Sequence, residues 1–597
     1  MKFLLKNEGI KTSDLEHFTE TTSATLKSLE KKGYIKIVQE QIERNPLKFK
    51  QIKQDSAKKL TDEQSVAYSE IAEAIDNNIY QEFLLYGVTG SGKTEVYLQL
   101  IEKVIKQGKS AVMLVPEISL TPQMINRFIA RFGKETIAVL HSKLSYGERF
   151  DNWQKIYKNQ ANIVIGARSA IFAPVQDVGI IIIDEEHDTS YKSETTPRFN
   201  AKEIATFLCK QHKIPLVLGS ATPNVTTFYK TKSNLKLLKL TKRANNSALP
   251  QVDIVDLREE LAYGNKTMIS RKLHEEIAEN LKNKKQTILF LNRRGYSTYA
   301  ICMDCGYTMK CKNCNIPLTQ HLKEQKLKCH YCGYTTKPIT TCPSCQGAKV
   351  KYVGAGTQKL ETAIQKMFPE ATTIRMDIDT VTKKNSHEQI LETFQKENID
   401  ILIGTQMVVK GHHFPNVTLV GVILADNSLN MGDFQAPERT FQILTQVAGR
   451  AGRENLPGKV IIQTYNPDSY AIECAKQQNY DDFYSKEINL RKQLKYPPFC
   501  DIIIINISSE DENEIQKASN FLYNALNKGN EKNNVQIFKP LPAPIDKIKN
   551  KYRWRIIIKG KLNNIIIDVI NTILLDITKK GFKKTSVIVD VNPNNMM

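Results

Sequence analysis

A glycine-rich segment early in the chain has the residue types needed to hold the phosphates of a nucleotide. It follows the apolar run FLLY, precedes the helix-like run VYLQLIEKVI, and matches the P-loop pattern G-x-x-x-x-G-K-[ST]. Glycines let backbone N–H groups close on phosphate oxygens, a lysine reaches the β- and γ-phosphates, and a threonine hydroxyl can hold Mg²⁺. We therefore expect ATP to bind to Gly87, Val88, Thr89, Gly90, Ser91, Gly92, Lys93 and Thr94, with Thr94 also a magnesium ligand.

A second apolar run, residues 179–183, ends in the acidic sequence Asp184-Glu185-Glu186-His187. An aspartate at the end of a strand could bind Mg²⁺ through water, and the following glutamate could position and activate the attacking water. A structural ion pair is the alternative. We expect Lys93, Asp184 and Glu185 to catalyse ATP hydrolysis together, with Asp184 also a magnesium ligand.

Two arginines near residue 450 could complete this site from another part of the chain. Gln446 opens the segment QVAGRAGR, and Arg450 and Arg453 lie three residues apart, which predicts that they share a helix face. A guanidinium that reaches the γ-phosphate across a cleft acts as an arginine finger, and hydrolysis then depends on closure of the cleft. A basic surface turn is the alternative.

Eight of the eleven cysteines form four C-x-x-C pairs within residues 301–346. Eight thiolates supply two complete tetrahedral zinc sites with no open coordination position, and closed sites of this kind are structural rather than catalytic. Redox-active pairs are the alternative, and spacing alone leaves open which pairs share an ion. The expected ligands of two Zn²⁺ are Cys302, Cys305, Cys311, Cys314, Cys329, Cys332, Cys342 and Cys345.

The elements that must position these residues have the pattern of parallel α/β structure. From about residue 60 to 467, short apolar runs alternate with helical stretches, which is typical of buried parallel strands joined by helices. The strands are too many for one sheet, so we expect two lobes. The predicted organisation is a winged helix (1–50), a first lobe that binds ATP (51–240), a second lobe (241–467) interrupted by the cysteine-rich insertion (301–346), and a C-terminal α+β domain (468–597).

The N-terminal unit is predicted from a short pattern. Leu26 and Leu29 share a helix face, Gly33 follows where a helix-ending glycine belongs, and residues 34–37 alternate like a strand. Helix, helix and short hairpin suggest a winged-helix DNA-binding fold, and a small helical cap is the alternative.

The bulk composition favours a polyanionic partner over a membrane. Lys and Arg number 84 against 63 Asp and Glu, a net charge of +21, which suits nucleic acid, although solubility alone could explain it. No apolar run approaches the roughly 20 residues that span a bilayer, and the N-terminus is not typical of a signal peptide. We therefore expect a cytoplasmic protein with no membrane partner.

Several further segments give the chain a family resemblance. Residues 60–64 (LTDEQ), 219–223 (GSATP) and 446–453 accompany the P-loop as the motifs of superfamily 2 helicases do. The cysteine insertion lies between NRRGY and GAGTQKLE, and residues 496–499 (YPPF) follow the second lobe. On these motifs the chain resembles the PriA (primosomal protein N′) family of replication-restart helicases over nearly its whole length.

The resemblance implies two RecA-like motor lobes and an ATP-dependent 3′→5′ DNA helicase that unwinds forked DNA and initiates primosome assembly in the bacterial nucleoid. It places Gln446, Arg450 and Arg453 beside the γ-phosphate and Gln64 on the adenine. The implied partners are forked and single-stranded DNA, single-stranded DNA-binding protein and the primosome proteins that load the replicative helicase. It also implies nested zinc sites, with Cys302, Cys305, Cys342 and Cys345 on one ion and Cys311, Cys314, Cys329 and Cys332 on the other.

Groups suited to gripping DNA follow several predicted strands. Hydroxyls, backbone amides and basic side chains hold phosphates without reading bases, and aromatic side chains can stack on bases. The candidates are residues 116–121, 166–170, 292–296 and 404–411, with Tyr191 and Phe199 as candidate stacking residues in a loop that could equally be an ordinary lid.

One departure from the family pattern concerns the N-terminus. Members begin with a DNA-binding domain ahead of the winged helix, whereas this chain starts inside the predicted winged helix, so we expect weak recognition of a 3′ end. Two other functions fit the same motifs: a double-strand DNA translocase or RNA helicase that uses the same motor, and a zinc-stapled primosome scaffold with weak ATPase. The intact motor residues argue against the scaffold.

Overall fold

A computed structural model describes most of the chain. The described residues are 10, 12–38, 54–117, 122–244, 249–291, 299–312, 316–321, 326–329, 332–353, 357–377, 386–405, 414–452, 458–530 and 535–596.

Two short helices, α1 (Thr12–Thr19) and α2 (Ser23–Lys31), stand at the N-terminus. Gly33 has a φ of +73°, the left-handed conformation expected just after a helix end. Residues 34–37, the predicted strand, pair with no strand among the described residues, and the rest of the predicted hairpin, residues 39–50, lies outside them. The backbone N–H of Ile37 donates to the Oε1 of Glu30 at 2.9 Å. The winged helix therefore stays a prediction.

The first lobe is a parallel sheet with helices on both faces. Its elements are α3 (Asp62–Asp76), β1 (Glu82–Gly87), α4 (Lys93–Lys106), β2 (Ser110–Leu114), α5 (Pro122–Phe132), β3 (Ile137–Leu140), α6 (Tyr146–Tyr157), β4 (Ile163–Gly166), β5 (Val178–Ile183), α7 (Ala201–His212), β6 (Leu216–Ser220), α8 (Val225–Tyr229) and β7 (Leu235–Leu240). The seven strands lie in the order β3-β4-β2-β5-β6-β1-β7, and all neighbours run parallel.

Strand β5 shows why its sequence is an unbroken apolar run. Ile181 and Ile183 lie in the core on one face of the sheet, and Ile180 and Ile182 lie in the core on the other face. Because helices cover both faces, no position in the strand suits a polar residue until the strand ends at Asp184.

The second lobe repeats this arrangement around an inserted sheet. Its elements in chain order are β8 (Gln251–Asp256), α9 (Leu257–Ala262), α10 (Arg271–Lys282), β9 (Gln286–Phe290), the inserted strands β10 (Tyr299–Cys302), β11 (Thr319–His321), β12 (Lys326–Lys328), β13 (Thr335–Thr336) and β14 (Val350–Val353), then α11 (Thr357–Met367), β15 (Thr373–Met376), α12 (Ser386–Lys396), β16 (Ile401–Gly404), β17 (Val417–Val422), α13 (Asp426–Leu429), α14 (Ala436–Ala448), β18 (Lys459–Thr464), α15 (Tyr470–Gln477) and α16 (Tyr480–Gln493).

Two sheets of different type result. The lobe itself has six parallel strands in the order β15-β16-β9-β17-β18-β8. The insertion has a separate antiparallel sheet, β13-β12-β11-β10-β14. Strand β10 begins before the predicted insertion limit of 301, and β14 lies entirely after the limit of 346.

The C-terminal domain is an antiparallel sheet with two long helices. Its elements are β19 (Asp501–Ser509), α17 (Glu512–Gly529), β20 (Gln536–Ile537), β21 (Leu541–Ile548), β22 (Lys551–Gly560), α18 (Asn564–Lys579) and β23 (Thr585–Val591). The strands lie in the order β20-β22-β19-β23, and β21 also pairs with β22. Alternate residues of β19 serve two cores: Ile503 and Ile505 pack under the two helices, whereas Ile502 and Ile504 pack with Leu318 of the insertion.

This architecture confirms the predicted fold class of two parallel-sheet lobes, a cysteine-rich region in the second lobe and a C-terminal domain that mixes helices and strands. Among the helices described, none is both long and apolar enough to cross a bilayer.

Candidate nucleotide cleft and metal centre

Three neighbouring strands of the first lobe bring its polar residues to one edge. The order β5-β6-β1 places the ends of these strands side by side. Asp184 follows β5, Ser220 ends β6, and the P-loop follows β1. Ligands of open parallel sheets bind at the carboxyl ends of strands, so this edge is the expected place for a nucleotide.

The P-loop has the backbone geometry of a phosphate cradle. Gly90 and Gly92 have φ angles of +85° and +81°, which side chains rarely adopt. A Cβ at Gly92 would also lie 2.3 Å from the Nε2 of Gln64, and a Cβ at Gly87 would lie 2.5 Å from the Oγ of Ser91. Helix α4 begins at Lys93, so its N-terminal N–H groups face the loop and favour an anion there.

A buried lysine and two acids lie beside this cradle. The Nζ of Lys93 donates to the carbonyl oxygen of Gly87 at 2.6 Å. Burial lowers the pKa of Lys93, and Glu185 and Asp184 oppose this shift. Burial also raises the pKa of Asp184, the neighbouring Glu185 raises it further, and Lys93 opposes both. Two acids held together at a phosphate cradle fit a divalent cation, because a cation would relieve their repulsion.

The amide of Gln64 is engaged within the protein. Its Oε1 accepts from the backbone N–H of Thr61 at 2.9 Å, and its Nε2 donates to the carbonyl oxygen of Ser91 at 2.7 Å. Gln64 thus lies at the cleft and ties the start of α3 to the P-loop. Adenine contact by this residue stays a prediction, and it would require these bonds to exchange.

The two lobes meet through His187 and Gln446. The Nδ1 of His187 lies 2.7 Å from the Oγ of Ser220, and its Nε2 lies 2.8 Å from the Nε2 of Gln446. Because an amide nitrogen donates, Nε2 of the ring accepts and Nδ1–H donates to the serine. A hydrogen-bonded chain therefore runs from the end of β6 in the first lobe to α14 in the second.

The second lobe also closes directly on the P-loop. A Cβ at Gly449 would lie 2.8 Å from the Cγ2 of Thr89, so only glycine allows this approach. Arg450 lines the cleft, which has a volume of ≈ 700 Å³. The predicted helix face is wrong for Arg450, because α14 ends at Ala448 and the arginine follows in a turn. Arg453 lies outside the described residues.

The sequence motifs do not identify three residues that lie in the cleft or directly beside it. The hydroxyl of Tyr97 donates to the Oδ1 of Asp184 at 3.1 Å. Tyr97 lies four residues after Lys93 on α4, so helical periodicity could have identified it. Arg127 and Arg243 add positive charge to the cleft lining. No motif marks these two, and only the neighbouring positions of β1 and β7 bring Arg243 close.

The candidate stacking residue Tyr191 is not available to bases. Its side chain is 1% exposed, and its hydroxyl donates to the backbone oxygens of Asp184 at 2.5 Å and Leu114 at 3.1 Å. The prediction is therefore wrong for this conformation, because the ring fills the core behind the acids. Phe199 is partly buried and packs against Phe172 with ring centroids 4.9 Å apart.

The other DNA-contact candidates are only partly described. Arg168 donates to the carbonyl oxygens of Ser190 at 3.1 Å and Lys192 at 2.5 Å, so it braces the loop that holds Tyr191. Glu117 accepts from the backbone N–H of Ser142 at 3.3 Å. Residues 118–121, 292–296 and 406–411 of the candidate segments lie outside the described residues.

The cysteine insertion brings its thiols together. The Sγ atoms of four cysteines lie within 4.8 Å of one another, as do those of three more. The closest pairs across the first group are each 3.6 Å apart, and tetrahedral zinc with bonds of about 2.3 Å separates its ligands by about 3.8 Å. The first group is Cys302, Cys305, Cys342 and Cys345, and the second is Cys311, Cys329 and Cys332. Cys314 lies outside the described residues.

Glycines shape two of the cysteine turns. Gly306 and Gly333 each follow the second cysteine of a pair, with φ angles of +74° and +76°. Their N–H groups donate to the carbonyl oxygens of Cys302 and Cys329, at 2.9 and 3.0 Å. Tight turns of this kind orient both thiols of a pair toward one point, so the donor set and its local geometry fit Zn²⁺.

Family models match four parts of the chain. The DEAD/DEAH box helicase model matches residues 61–230, and the helicase conserved C-terminal domain matches residues 339–455. The PriA DNA helicase Cys-rich region domain matches residues 311–337, and the primosomal protein N C-terminal domain matches residues 492–594.

Curated relatives match almost the whole length of this chain. Replication restart protein PriA of Bacillus subtilis is 45% identical over 606 residues, which cover 100% of this chain and 74% of the relative. The protein of the same name from Synechocystis is 40% identical over 571 residues, which cover 93% and 68%. A solved structure of RecG bound to a three-way DNA junction gives a TM-score of 0.43 at 15% identity, over 74% of this chain and 51% of that one, a likeness too weak to add an argument. With this identity and these domains, the chain belongs to the PriA family of replication restart DNA helicases.

Proposed function

We propose that this chain is an ATP-driven 3′→5′ helicase that unwinds forked DNA and starts primosome assembly during replication restart. The motor part is carried by one observation: Lys93, Asp184 and Glu185 of the first lobe share a cleft with Arg450 of the second. Family membership supports the role in replication restart. The direction of travel, fork binding and primosome assembly rest on the family resemblance.

Each cleft residue has a role that follows from its position. Lys93 would hold the β- and γ-phosphates, and Thr94 and Asp184 would hold Mg²⁺, which draws charge from phosphate oxygens when bound. Glu185 would orient and activate the attacking water. Its Oε2 atom is buried and accepts no hydrogen bond from the described residues, so it has the capacity to accept one from water.

The second lobe would make hydrolysis depend on closure. Arg450 and Arg453 would stabilise charge on the γ-phosphate. Gln446 would couple the second lobe to the nucleotide cleft through its hydrogen bond to His187. Because these groups come from the opposite lobe, the site is complete only when the lobes are together. Turnover would therefore move the lobes relative to each other, which is how hydrolysis drives translocation.

The insertion would hold two Zn²⁺ and serve a structural role, because Cys₄ sites leave no open coordination position. The net charge of +21 supports binding to the DNA backbone. The proposed partners are forked and single-stranded DNA, single-stranded DNA-binding protein and the primosome proteins that load the replicative helicase.

Strand displacement on matched forks tests this proposal. The forks carry either a 3′ or a 5′ single-stranded loading arm, in DNA and in RNA, and Lys93→Ala is the inactive control. We expect ATP-dependent separation of DNA forks with a 3′ arm only. Separation from a 5′ arm would contradict the direction. Triplex displacement without strand separation would favour a double-strand DNA translocase. Unwinding of RNA forks would favour an RNA helicase, and the absence of DNA-stimulated ATPase would favour the zinc-stapled scaffold.

A further inference from the structure

The segment Asp590–Met596, where β23 ends, contacts both motor lobes. On the first lobe, Asp590 forms ion pairs with Lys192 and Arg198, with N–O distances of 2.7 and 2.5 Å. Lys192 also donates to the backbone oxygen of Asn592 at 2.7 Å. Both cations belong to the loop that follows the Asp184-Glu185-Glu186-His187 motif, so the segment is tied to the lobe beside its catalytic acids.

The same segment is tied to the second lobe a few residues later. Arg439 donates to the backbone oxygen of Asn594, and the backbone N–H of Met596 donates to the Oδ2 of Asp433 at 3.3 Å. Arg439 and Asp433 also pair with each other at 3.1 Å. Met596 is 1% exposed and packs in the core that contains Phe434. This end is therefore anchored by both polar and apolar contacts.

The first-lobe contact is a buried one. Asp590 and Lys192 are each 6% exposed. A buried ion pair is costly to break from one side, because the remaining charge is left uncompensated. The contact is thus a specific tie rather than a loose surface pair, and it should hold as long as both partners stay charged.

Both ties lead to groups that face each other across the nucleotide cleft. Next to Lys192, Tyr191 hydrogen-bonds to the backbone of Asp184. On the other side, Arg439 lies on α14, whose later residue Gln446 bonds to His187. The segment is therefore a further bridge between the two lobes, in parallel with direct contacts such as the one between Gln446 and His187.

We propose that Asp590–Met596 is a clasp that holds the lobes in the closed arrangement, and that Asp590 and Arg439 are positioning residues for ATP hydrolysis. This rests on the proposed ATPase. Where only the closed state binds nucleotide well, the apparent dissociation constant rises in inverse proportion to the closed fraction. A broken clasp therefore raises the KM for ATP. It leaves kcat nearly unchanged, because saturating ATP itself keeps the cleft closed.

The test compares Asp590→Asn, Arg439→Ala and the double variant in steady-state ATP hydrolysis at saturating single-stranded DNA. Each single change should raise the KM for ATP by about fivefold or more, a usual size for coupling between sites, with kcat within about twofold. The two ends of the segment act in series, because release of either end lets the lobes separate. Each end keeps further contacts, from Lys192 and Thr189 to the backbone oxygen of Asn592 and the amide of Asn594, and from Met596 to Asp433, so each single change weakens its end without removing it. The double variant should therefore raise the KM by less than the product of the two single effects.

Glu514→Gln is the matched control. Its Oε1 accepts from the backbone N–H of Lys584 at 3.0 Å and the hydroxyl of Thr585 at 2.9 Å, at the opposite end of β23. This change disturbs the same strand without touching either lobe, so the KM should stay at the wild-type value. A KM rise as large as that of Asp590→Asn would show that the effect is general loosening of the domain, and it would overturn the clasp.

Other results would also overturn it. An unchanged KM for ATP in both single variants would overturn the clasp. Losses of kcat that multiply in the double variant, together with lowered melting temperatures, would overturn it too, because they indicate a structural role only. Faster hydrolysis without DNA would indicate an inhibitory contact instead. Titration with a fluorescent ATP analogue separates this proposal from the ATPase itself. A wild-type protein that binds but does not hydrolyse would defeat the proposed function, while the dissociation constants of the variants would still decide the clasp.

Discussion

The nucleotide cleft and the cysteine insertion are both polar sites, but they are built over very different distances along the chain. The hydrogen bond between His187 and Gln446 joins residues 259 positions apart. In the insertion, the thiols of Cys302 and Cys345 are 43 positions apart, and the three described C-x-x-C turns, which begin at Cys302, Cys329 and Cys342, are each closed by their own backbone. Local geometry defines most of the insertion, whereas only the packing of two lobes defines the cleft.

The two sites also differ in how satisfied their groups are. Eight thiolates would saturate two zinc ions, which leaves no vacant position for chemistry. In the cleft, Glu185 has a left-handed φ of +47° and a buried oxygen without a hydrogen bond from the described residues. Such strain costs on the order of 1–3 kcal/mol and persists where the surrounding structure imposes it, often at functional sites. This difference predicts that damage to the cleft abolishes ATP turnover, whereas damage to the insertion lowers the zinc content and disturbs the local structure of the insertion.

The largest expected effect comes from Lys93→Ala. Losing the buried ammonium should lower kcat for ATP hydrolysis by roughly 10²–10³-fold or more, as for removal of one preorganised charge-stabilising group. DNA affinity and zinc content should remain close to those of the wild type. Phosphate release measures ATP hydrolysis in the cleft, and elemental analysis of the same preparation measures the zinc content of the insertion. A loss of zinc in this variant would show that the two sites are not independent.

A smaller effect is expected from Gln446→Ala. The change removes the hydrogen bond to His187 between the lobes, and a bond of about 1–1.5 kcal/mol corresponds to roughly tenfold in rate. ATP hydrolysis should therefore fall about tenfold, with nucleotide binding affected less. Gln442→Ala is a suitable control, because its longer 3.4 Å bond to the Thr222 backbone oxygen lies one helical turn earlier. Equal losses in both variants would argue against a special role for Gln446.

The insertion should respond in the opposite way. Cys311→Ser should reduce zinc from two ions to about one per chain, because the other group of four thiols stays complete. Unwinding should weaken more than ATP hydrolysis, since the cleft residues lie outside the insertion. Cys500→Ser is the control, because this buried thiol bonds to a backbone oxygen instead of joining a thiol group. A full loss of ATPase with zinc retained would contradict the separation of the two sites.

The smallest effect on turnover is expected at a buried acid at the seam where the insertion docks, because changing this acid should alter stability instead. Burial raises the pKa of Asp426 to about 6 from an ordinary 3.8, although it accepts from the backbone N–H of Tyr465 and the hydroxyl of Thr464. The carbonyl of Tyr465 closely approaches Gly306 of the insertion. Because the folded-state pKa is raised, stability is lost as pH rises from about 4 through 6. Asp426→Asn should therefore stabilise the protein at pH 8 by on the order of 1–3 kcal/mol.

Thermal unfolding at several pH values checks this sign. The difference between variant and wild type should nearly vanish at pH 4, where the wild-type side chain is already neutral in the fold. A stabilisation that does not depend on pH would mean that the carboxyl is neutral or compensated throughout. The result would also sharpen the comparison with Asp184, because burial raises the pKa of both acids but only Asp184 lies in the cleft.

Sequence reasoning was most reliable where local chemistry sets the structure. The P-loop needs glycine where predicted, because Gly90 and Gly92 adopt positive φ angles, which other residues rarely do. The acids follow a fully buried strand, as the apolar run indicated. Errors arose where the outcome depended on distant packing. Tyr191 was interpreted as a stacking residue because it lies in a loop, yet the loop folds inward and its ring joins the core.

The sequence by itself determined the P-loop, the acidic strand end, the cysteine pairs and the alternation of strands and helices, because each depends on residues close together in the chain. Only the tertiary structure decided that Gln446 bonds to His187, that Gly449 touches the P-loop, and that Asp590 joins Lys192 and Arg198. No local pattern encodes these contacts. They arise because parallel sheets align their strand ends and because two separately folded lobes pack around one cleft.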